Sequence, residues 1–272
     1  LNIFLMFLIF TSLFIIVYIT INRHVIKNVA RLNSSLSEIT SGNLNTVISV
    51  RGNSEFSDMS DYINSTVDTL KGYIAEAEHR MEADLSLAKS IQASALPGIF
   101  PPFPHRKDFD IFALMDPAKE VGGDFYDFFI PSGHKLAFLV ADVAGKGIPG
   151  AMFMMQAKSI IRGFGETRLE VNDILTNANS KLCENNAADM FVTCWMGILD
   201  TSTGIVEFTN AGHNPPLIRR GDGTWEYFRS RAGFVLAGFN ETRYRKQELQ
   251  LDPGDVLFLY TDGVTEAENI DH

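Results

Sequence analysis

The chain has 272 residues, 46% of them hydrophobic and 21% charged, a balance that excludes a disordered chain, a collagen-like fibre and a disulfide-rich miniprotein. Twenty-three basic residues against 33 acidic ones leave a net charge of −10, which argues weakly against nucleic acid as the main partner and suits a protein that collects cations. The two cysteines, Cys183 and Cys194, are too few for a disulfide framework and point to a reducing compartment.

The chain opens on Leu1 rather than Met and stops shortly after a long apolar strand, so it reads as a fragment clipped at both ends. Ile3–Ile21 is an uncharged apolar run of the length a helix needs to cross a bilayer. Arg23, His24, Lys27 and Arg31 follow the run, whereas a signal peptide carries its basic residues before it. This order predicts a transmembrane helix over residues 1–21, in the plasma (inner) membrane, with the rest of the chain cytoplasmic.

Val25, Val29, Leu32, Leu36 and Ile39 then recur at spacings of four and three. After a connector containing Gly42 and Leu44, a second stripe runs Phe56, Met59, Ile63, Val67, Leu70 and Ile74. Stripes this narrow are coiled-coil seams, which predicts pairing with a second copy of the chain. The second stripe continues through Ala77, Met81, Leu85, Ala88, Ile91 and Ala95 with no glycine or proline break that ends the helix before Pro97. Pro97–Lys107 holds four prolines in eleven residues and marks a boundary.

Beyond Asp108 the pattern changes to short apolar runs separated by turns. Strands are expected over 110–115, 125–130, 135–141, 190–199, 205–210 and 255–261, with helices over 150–162 and 171–184. Strands that follow one another through short turns, with helices set apart, predict an α+β domain of antiparallel sheets.

One hairpin is informative. With its turn centred on Gly133, Ile130 faces Leu136, Phe128 faces Phe138, Tyr126 faces Val140, and Asp124 faces Asp142. Like charges opposed across an antiparallel pair destabilise it. A hard divalent cation with oxygen ligands would compensate. A later alternating run, Val256, Phe258 and Tyr260, also leads to an aspartate, Asp262. Three carboxylates without clustered His or Cys favour Mg²⁺ or Mn²⁺ over Zn²⁺. His213, in a proline-stabilised turn, reads as a structural histidine, and both cysteines read as packing residues.

Two resemblances bear on these residues. The apolar helix, the basic junction, the two amphipathic helices and the Gly42-x-Leu44 connector resemble a HAMP signal-relay domain over residues 22–75, with Glu55 in the place of that family's acidic residue. Asn28 departs from the proline that many members carry there. The segments GGDFYDFF, ADVAGKGIPGAMFM, FVTCWMGILD, TNAGHNPPL and LFLYTDGVTEAEN, in that order, resemble the PPM-type serine/threonine phosphatases, in the bacterial branch typified by RsbU and SpoIIE. The organisation so implied is a transmembrane helix (1–21), a HAMP domain (22–75), a signalling linker helix (76–97) and a PPM-phosphatase-like β-sandwich flanked by helices (105–272).

What the resemblance implies can be carried over by position. Asp124, Asp142 and Asp262 would hold two Mn²⁺ or Mg²⁺ ions, with the backbone carbonyl of Val143 as a further ligand. Water activated by the two metals would attack a phosphoserine or phosphothreonine, the usual substrates being phosphorylated STAS-domain anti-anti-sigma proteins. The family's fourth acidic ligand comes from a later segment, which Glu266, Glu268 and Asp271 do not match, and the last core strands would lie there too. A homodimer through the HAMP helices and a membrane partner are expected, and nucleic acid is not.

Two other readings compete. Gly122–Phe125 spells GGDF, which suggests a diguanylate cyclase, but that leaves the TDG and AGHNPP segments unexplained. A catalytically inactive scaffold that binds a signalling partner is the stronger rival, and metal affinity separates it from the enzyme.

Overall fold

A computed structural model describes residues 2–50, 52, 54–184 and 186–269. The chain divides into two compact units, Leu1–Ala83 and Asp84–His272.

In the first unit, helix α1 (Asn2–Ile21) is followed by one π-helical turn (Asn22–Ile26) and helix α2 (Lys27–Thr40). The apolar stretch gives one helix long and apolar enough to cross a membrane, and none of its apolar window is buried in the protein. The π turn lies just before Asn28, whose side-chain amide donates to the His24 carbonyl at 3.0 Å, and such single turns are the usual form of π helix. Gly42, with φ of 100°, turns the chain out of α2. Helix α3 (Ser54–Ala95) then runs unbroken for 42 residues, the length the apolar stripe predicts.

The connector does more than join the helices. Its Ile48 and Val50 are buried with Leu32, and Leu36, Ile39, Phe56 and Ile63 pack around them. Asn64 holds Ile48 through both backbone groups, at 2.9 Å each. Part of each seam is therefore covered within the chain. Val25, Val29, Met59, Leu70 and Ile74 keep exposed apolar side chains.

The second unit is sheet-rich, of mixed α+β class. Strands β1 (Phe125–Ser132), β2 (Lys135–Val143), β3 (Val192–Asp200), β4 (Ile205–Ala211) and β7 (Gln247–Gln250) form one antiparallel sheet in the order β1-β2-β3-β4-β7. Strands β6 (Trp225–Tyr227), β5 (Leu217–Arg219) and β8 (Val256–Phe258) form a second. Helices α4 (Ile148–Gly165) and α5 (Val171–Cys183) cover the outer face of the first sheet. Phe125, Leu139, Met154, Ile161, Ile174 and Met196 are among the buried side chains of that layer. Between the sheets, Trp195 stacks on Phe208 at 5.0 Å and on Phe138 at 5.8 Å, with Ile218 and Leu249 closing the cluster.

Several expectations need correction. Residues 110–115 form no strand: Phe112 and Leu114 are exposed, and no strand pairs with them among the described residues. The last predicted strand shortens to β8, because hydrogen bonding to β5 ends at Phe258. Asp262 opens a four-residue helix, α6 (Asp262–Thr265). Helix α4 begins earlier than predicted, since Pro149 suits a first helical turn. Strands β5, β6 and β7 were not expected.

Candidate metal centre

The hairpin brings its carboxylates together. Tyr126 pairs with Val140 and Phe128 with Phe138, as the register requires. The register shifts between Phe129 and Ser132, so Ile130 does not oppose Leu136. The irregularity lies at the turn end, away from the carboxylates. Asp124 immediately precedes β1 and Asp142 is the penultimate residue of β2. Asp124 acts on the Asp142 carboxyl from hydrogen-bonding range and through its charge.

The electrostatics match that contact. Burial, the hydrogen bond to Asp124 and the charges of Asp124, Asp262 and Glu266 push the Asp142 carboxyl up to about 7. A carboxyl so placed either keeps a proton or needs a cation beside it. Asp262 belongs to the perimeter: it acts on Asp142 through its charge but is itself exposed. Glu266 sits one turn on, its N–H donating to the Asp262 carbonyl at 2.8 Å. Among the described residues no three His, Cys, Asp or Glu side chains converge as a closed ion-binding cluster. Asp271 lies outside the described residues, and Glu268 is exposed.

Val143 ends β2, buried and opposite Val192. Its carbonyl explains the glycine before Asp124. A Cβ on Gly123 would lie 2.7 Å from the Val143 oxygen and 3.1 Å from its Cβ. The Gly145 carbonyl is approached in the same way by Gly150, whose Cβ would lie 2.4 Å away. Two glycines thus let the backbone close around Val143–Gly145. Two carboxyl groups in contact, beside a backbone carbonyl, form an all-oxygen donor set that suits a hard divalent ion. These side chains fit the cation expected from the sequence.

Three further residues complete the site, and the sequence showed none of them in this role. The Thr261 hydroxyl donates to Asp124 Oδ2 at 2.6 Å and orients it. Thr193, directly opposite Asp142 across β2 and β3, meets His213 Nδ1 at 2.8 Å. The other ring nitrogen, Nε2, lies 3.1 Å from the Tyr260 carbonyl, two residues before Asp262. Asn210 fixes the His213 backbone through bonds of 2.7 and 3.0 Å. Burial pushes the imidazole down to about 4, against the pull of Asp124 and Asp262, so it is neutral at pH 7. A neutral imidazole has one N–H. With Nε2 donating to Tyr260, Nδ1 accepts from Thr193. His213 therefore ties the strand beside Asp142 to the segment leading to Asp262. It is structural, as expected, but structural at the site. The only signal for it was the proline-rich turn that follows.

Comparison with known proteins finds relatives of both units. The family model described as Stage II sporulation protein E (SpoIIE) matches residues 132–272, and the HAMP domain model matches residues 20–72. Protein IcfG of Synechocystis sp. (strain ATCC 27184 / PCC 6803 / Kazusa) is 29% identical over 259 residues, covering 85% of this chain and 39% of IcfG. Phosphoserine phosphatase RsbU of Bacillus subtilis (strain 168) is 28% identical over 199 residues, covering 73% of this chain and 57% of RsbU. The chain thus spans less than two thirds of the length of these relatives. Among solved structures, the SiaA-PP2C domain of Pseudomonas aeruginosa superposes with a TM-score of 0.59 at 24% identity, covering 70% of this chain and 74% of that one. At that identity the likeness speaks for the fold.

Proposed function

Because the chain belongs to the stage II sporulation protein E (SpoIIE) family, we propose that it is a membrane-anchored, metal-dependent protein serine/threonine phosphatase of bacterial signalling. The observation that carries this reading is the contact between Asp124 and Asp142 beside the Val143 carbonyl. Asp124, Asp142, Asp262 and Val143 would hold two Mn²⁺ or Mg²⁺ ions. Bound there, such a pair supplies water activation and neutralises charge on a phosphoryl group.

The chain's own residues do the positioning. Thr261 fixes the rotamer of Asp124, and the His213 bridge holds Thr193 and Tyr260 in register around Asp142. Gly123 and Gly150 keep the backbone close, so the donors are set before substrate arrives, and such pre-organisation is what makes electrostatic catalysis effective. No nucleophilic cysteine is needed. Cys194 is buried in β3, and burial pushes its thiol well above the usual range.

The substrate we propose is a phosphoserine or phosphothreonine protein, of the STAS-domain anti-anti-sigma kind. We place α1 in the membrane and the second unit in the cytoplasm. We propose that the HAMP segment acts as a homodimer and relays its signal along α3. A non-catalytic scaffold is the second reading, and the exposed position of Asp262 favours it.

The test is hydrolysis of p-nitrophenyl phosphate by the full chain in detergent. Turnover is expected with Mn²⁺, is expected to vanish in EDTA, and is expected to fall at least about a hundredfold in Asp142→Asn, as when other electrostatic stabilisers are removed. Activity indifferent to EDTA and to that substitution would reject the metal mechanism. Mn²⁺-replete protein without turnover on this ester or on a phosphoserine peptide would favour the scaffold.

A further inference from the structure

The segment of residues 228–246, between β6 and β7, runs against the charge of the chain. It holds Arg229, Arg231, Arg243, Arg245 and Lys246 against a single acidic residue, Glu241, in a protein of net charge −10. Lys246 is spent on Glu170 and Glu207, at 3.0 and 2.9 Å. The four arginines are exposed, and none has an ion-pair partner among the described residues. The Arg243 guanidinium meets only the neighbouring Thr242 carbonyl, at 3.4 Å.

The fold gathers these arginines. Gln247 bonds both backbone groups of Arg231, at 3.2 and 2.9 Å, so the two legs of the segment lie side by side. On one leg the arginines flank Ser230, whose hydroxyl is buried. On the other they flank Tyr244, which is buried and donates to the Val235 carbonyl at 3.1 Å. On each leg the two arginines are exposed on either side of the less accessible residue between them.

The same segment reaches the metal centre. Leu236 exchanges both backbone hydrogen bonds with Val192, at 3.0 and 2.8 Å, and Val192 is the residue opposite Val143. Two strand spacings put Leu236 about 10 Å from Val143. The Gly233 N–H donates to the carbonyl of Asn210, the residue that holds His213. Continuing the registers of β2, β3, β4 and β7 sets Arg245 three strand spacings and two residues from Asp142, roughly 16 Å away. An extended peptide covers that in about five residues.

We propose that residues 228–246 form a docking surface for the phosphoprotein substrate, in which Arg229, Arg231, Arg243 and Arg245 take acidic side chains about five residues from the phosphorylated one. This rests on the phosphatase reading for the identity of the partner. The charge itself selects the chemistry: exposed, unpaired guanidiniums in an otherwise acidic protein attract carboxylates and steer their approach.

The probe is a fluorescein-labelled phosphoserine peptide with glutamates about five positions to either side, compared with the same peptide carrying glutamines there. Anisotropy and turnover are measured on the full chain in detergent with Mn²⁺. The comparison protein combines Arg229→Ser, Arg231→Ser, Arg243→Ser and Arg245→Ser, and a second replaces the same four by lysine. The serine protein is expected to keep p-nitrophenyl phosphate hydrolysis within about twofold. It is expected to lose at least about tenfold in kcat/KM and in affinity for the glutamate peptide, with the salt dependence of binding. The lysine protein is expected to retain most of that binding, and the glutamine peptide is expected to treat all three proteins alike. Equal affinity of the parent and serine proteins for the glutamate peptide would overturn the proposal. So would binding of phosphatidylserine vesicles lost in the serine protein with peptide binding unchanged, which would give the patch to a lipid surface. If the parent protein hydrolyses nothing, the phosphatase reading fails, and arginine-dependent peptide binding still upholds the acidic docking surface.

Discussion

Asp142 is where burial and charge act most strongly on one side chain. With its carboxyl raised from an unfolded value near 3.8 to about 7, the folded chain prefers the protonated form. Its contribution to stability is full below pH about 4 and is gone once the pH has passed about 7. Asp142→Asn keeps the shape and removes the titration. In EDTA, urea unfolding is therefore expected to show the variant gaining on the parent protein between pH 4 and pH 8, by on the order of 2 kcal/mol once solvent screening of the half-buried Asp142 is allowed for. A difference that stays flat over that range would mean that Asp142 does not bear the charge of its neighbours. At this scale the aspartate pair was legible in the sequence, because strand alternation alone sets residues 124 and 142 opposite each other. His213, Thr193 and Thr261 were not. Their contacts span separations of 20 to 137 residues, and no local pattern encodes such closures.

Among the elements, α4 is fixed by a buried carboxylate. Asp127 of β1 is fully buried on the helix side and takes Lys158 at 3.0 Å and Arg162 at 3.1 and 3.2 Å. Arg162 also lies over the Phe129 ring, 4.2 Å from its centroid, and pairs with Glu166. The helix that begins just after Gly145–Gly147 is thereby pinned to the strand that follows Asp124. Breaking a buried pair leaves a charge uncompensated, typically at 3–5 kcal/mol. Arg162 is about a third exposed, and Asp127→Asn can still accept one hydrogen bond, so a loss of about 2–3 kcal/mol is expected in urea unfolding. A loss under about 0.5 kcal/mol would show that α4 is held by its apolar face alone. Asp127 shares its face with Phe125 and Phe129, and one aspartate within an apolar alternation does not show that it is buried. The principal strands and helices were legible because each presents a regular apolar face. Strands β5, β6 and β7 are three to four residues long, too short to show alternation. Residues 110–115 alternate without a pairing partner, and a sequence pattern reports sidedness rather than hydrogen bonds.

The whole molecule joins an apolar helix, a HAMP segment and a phosphatase-fold unit, with α3 continuous through residue 95. Besides the basic junction after α1, the acidic chain carries a second basic segment at 228–246, and its aspartate pair lies at one end of the main sheet. Both facts follow from charge placement that composition alone averages away: −10 overall says nothing about where the arginines stand. If Asp124 and Asp142 form a cation site, the chain takes up Mn²⁺ in solution. The loss of the free-ion paramagnetic resonance signal can be followed as the full chain is added in detergent, at pH 6 and pH 8. Saturable binding is expected, tighter at pH 8 because the ion must displace the Asp142 proton, and weakened at least about tenfold in Asp142→Asn. Equal binding by both proteins, or no binding at either pH, would mean that Asp142 holds no cation.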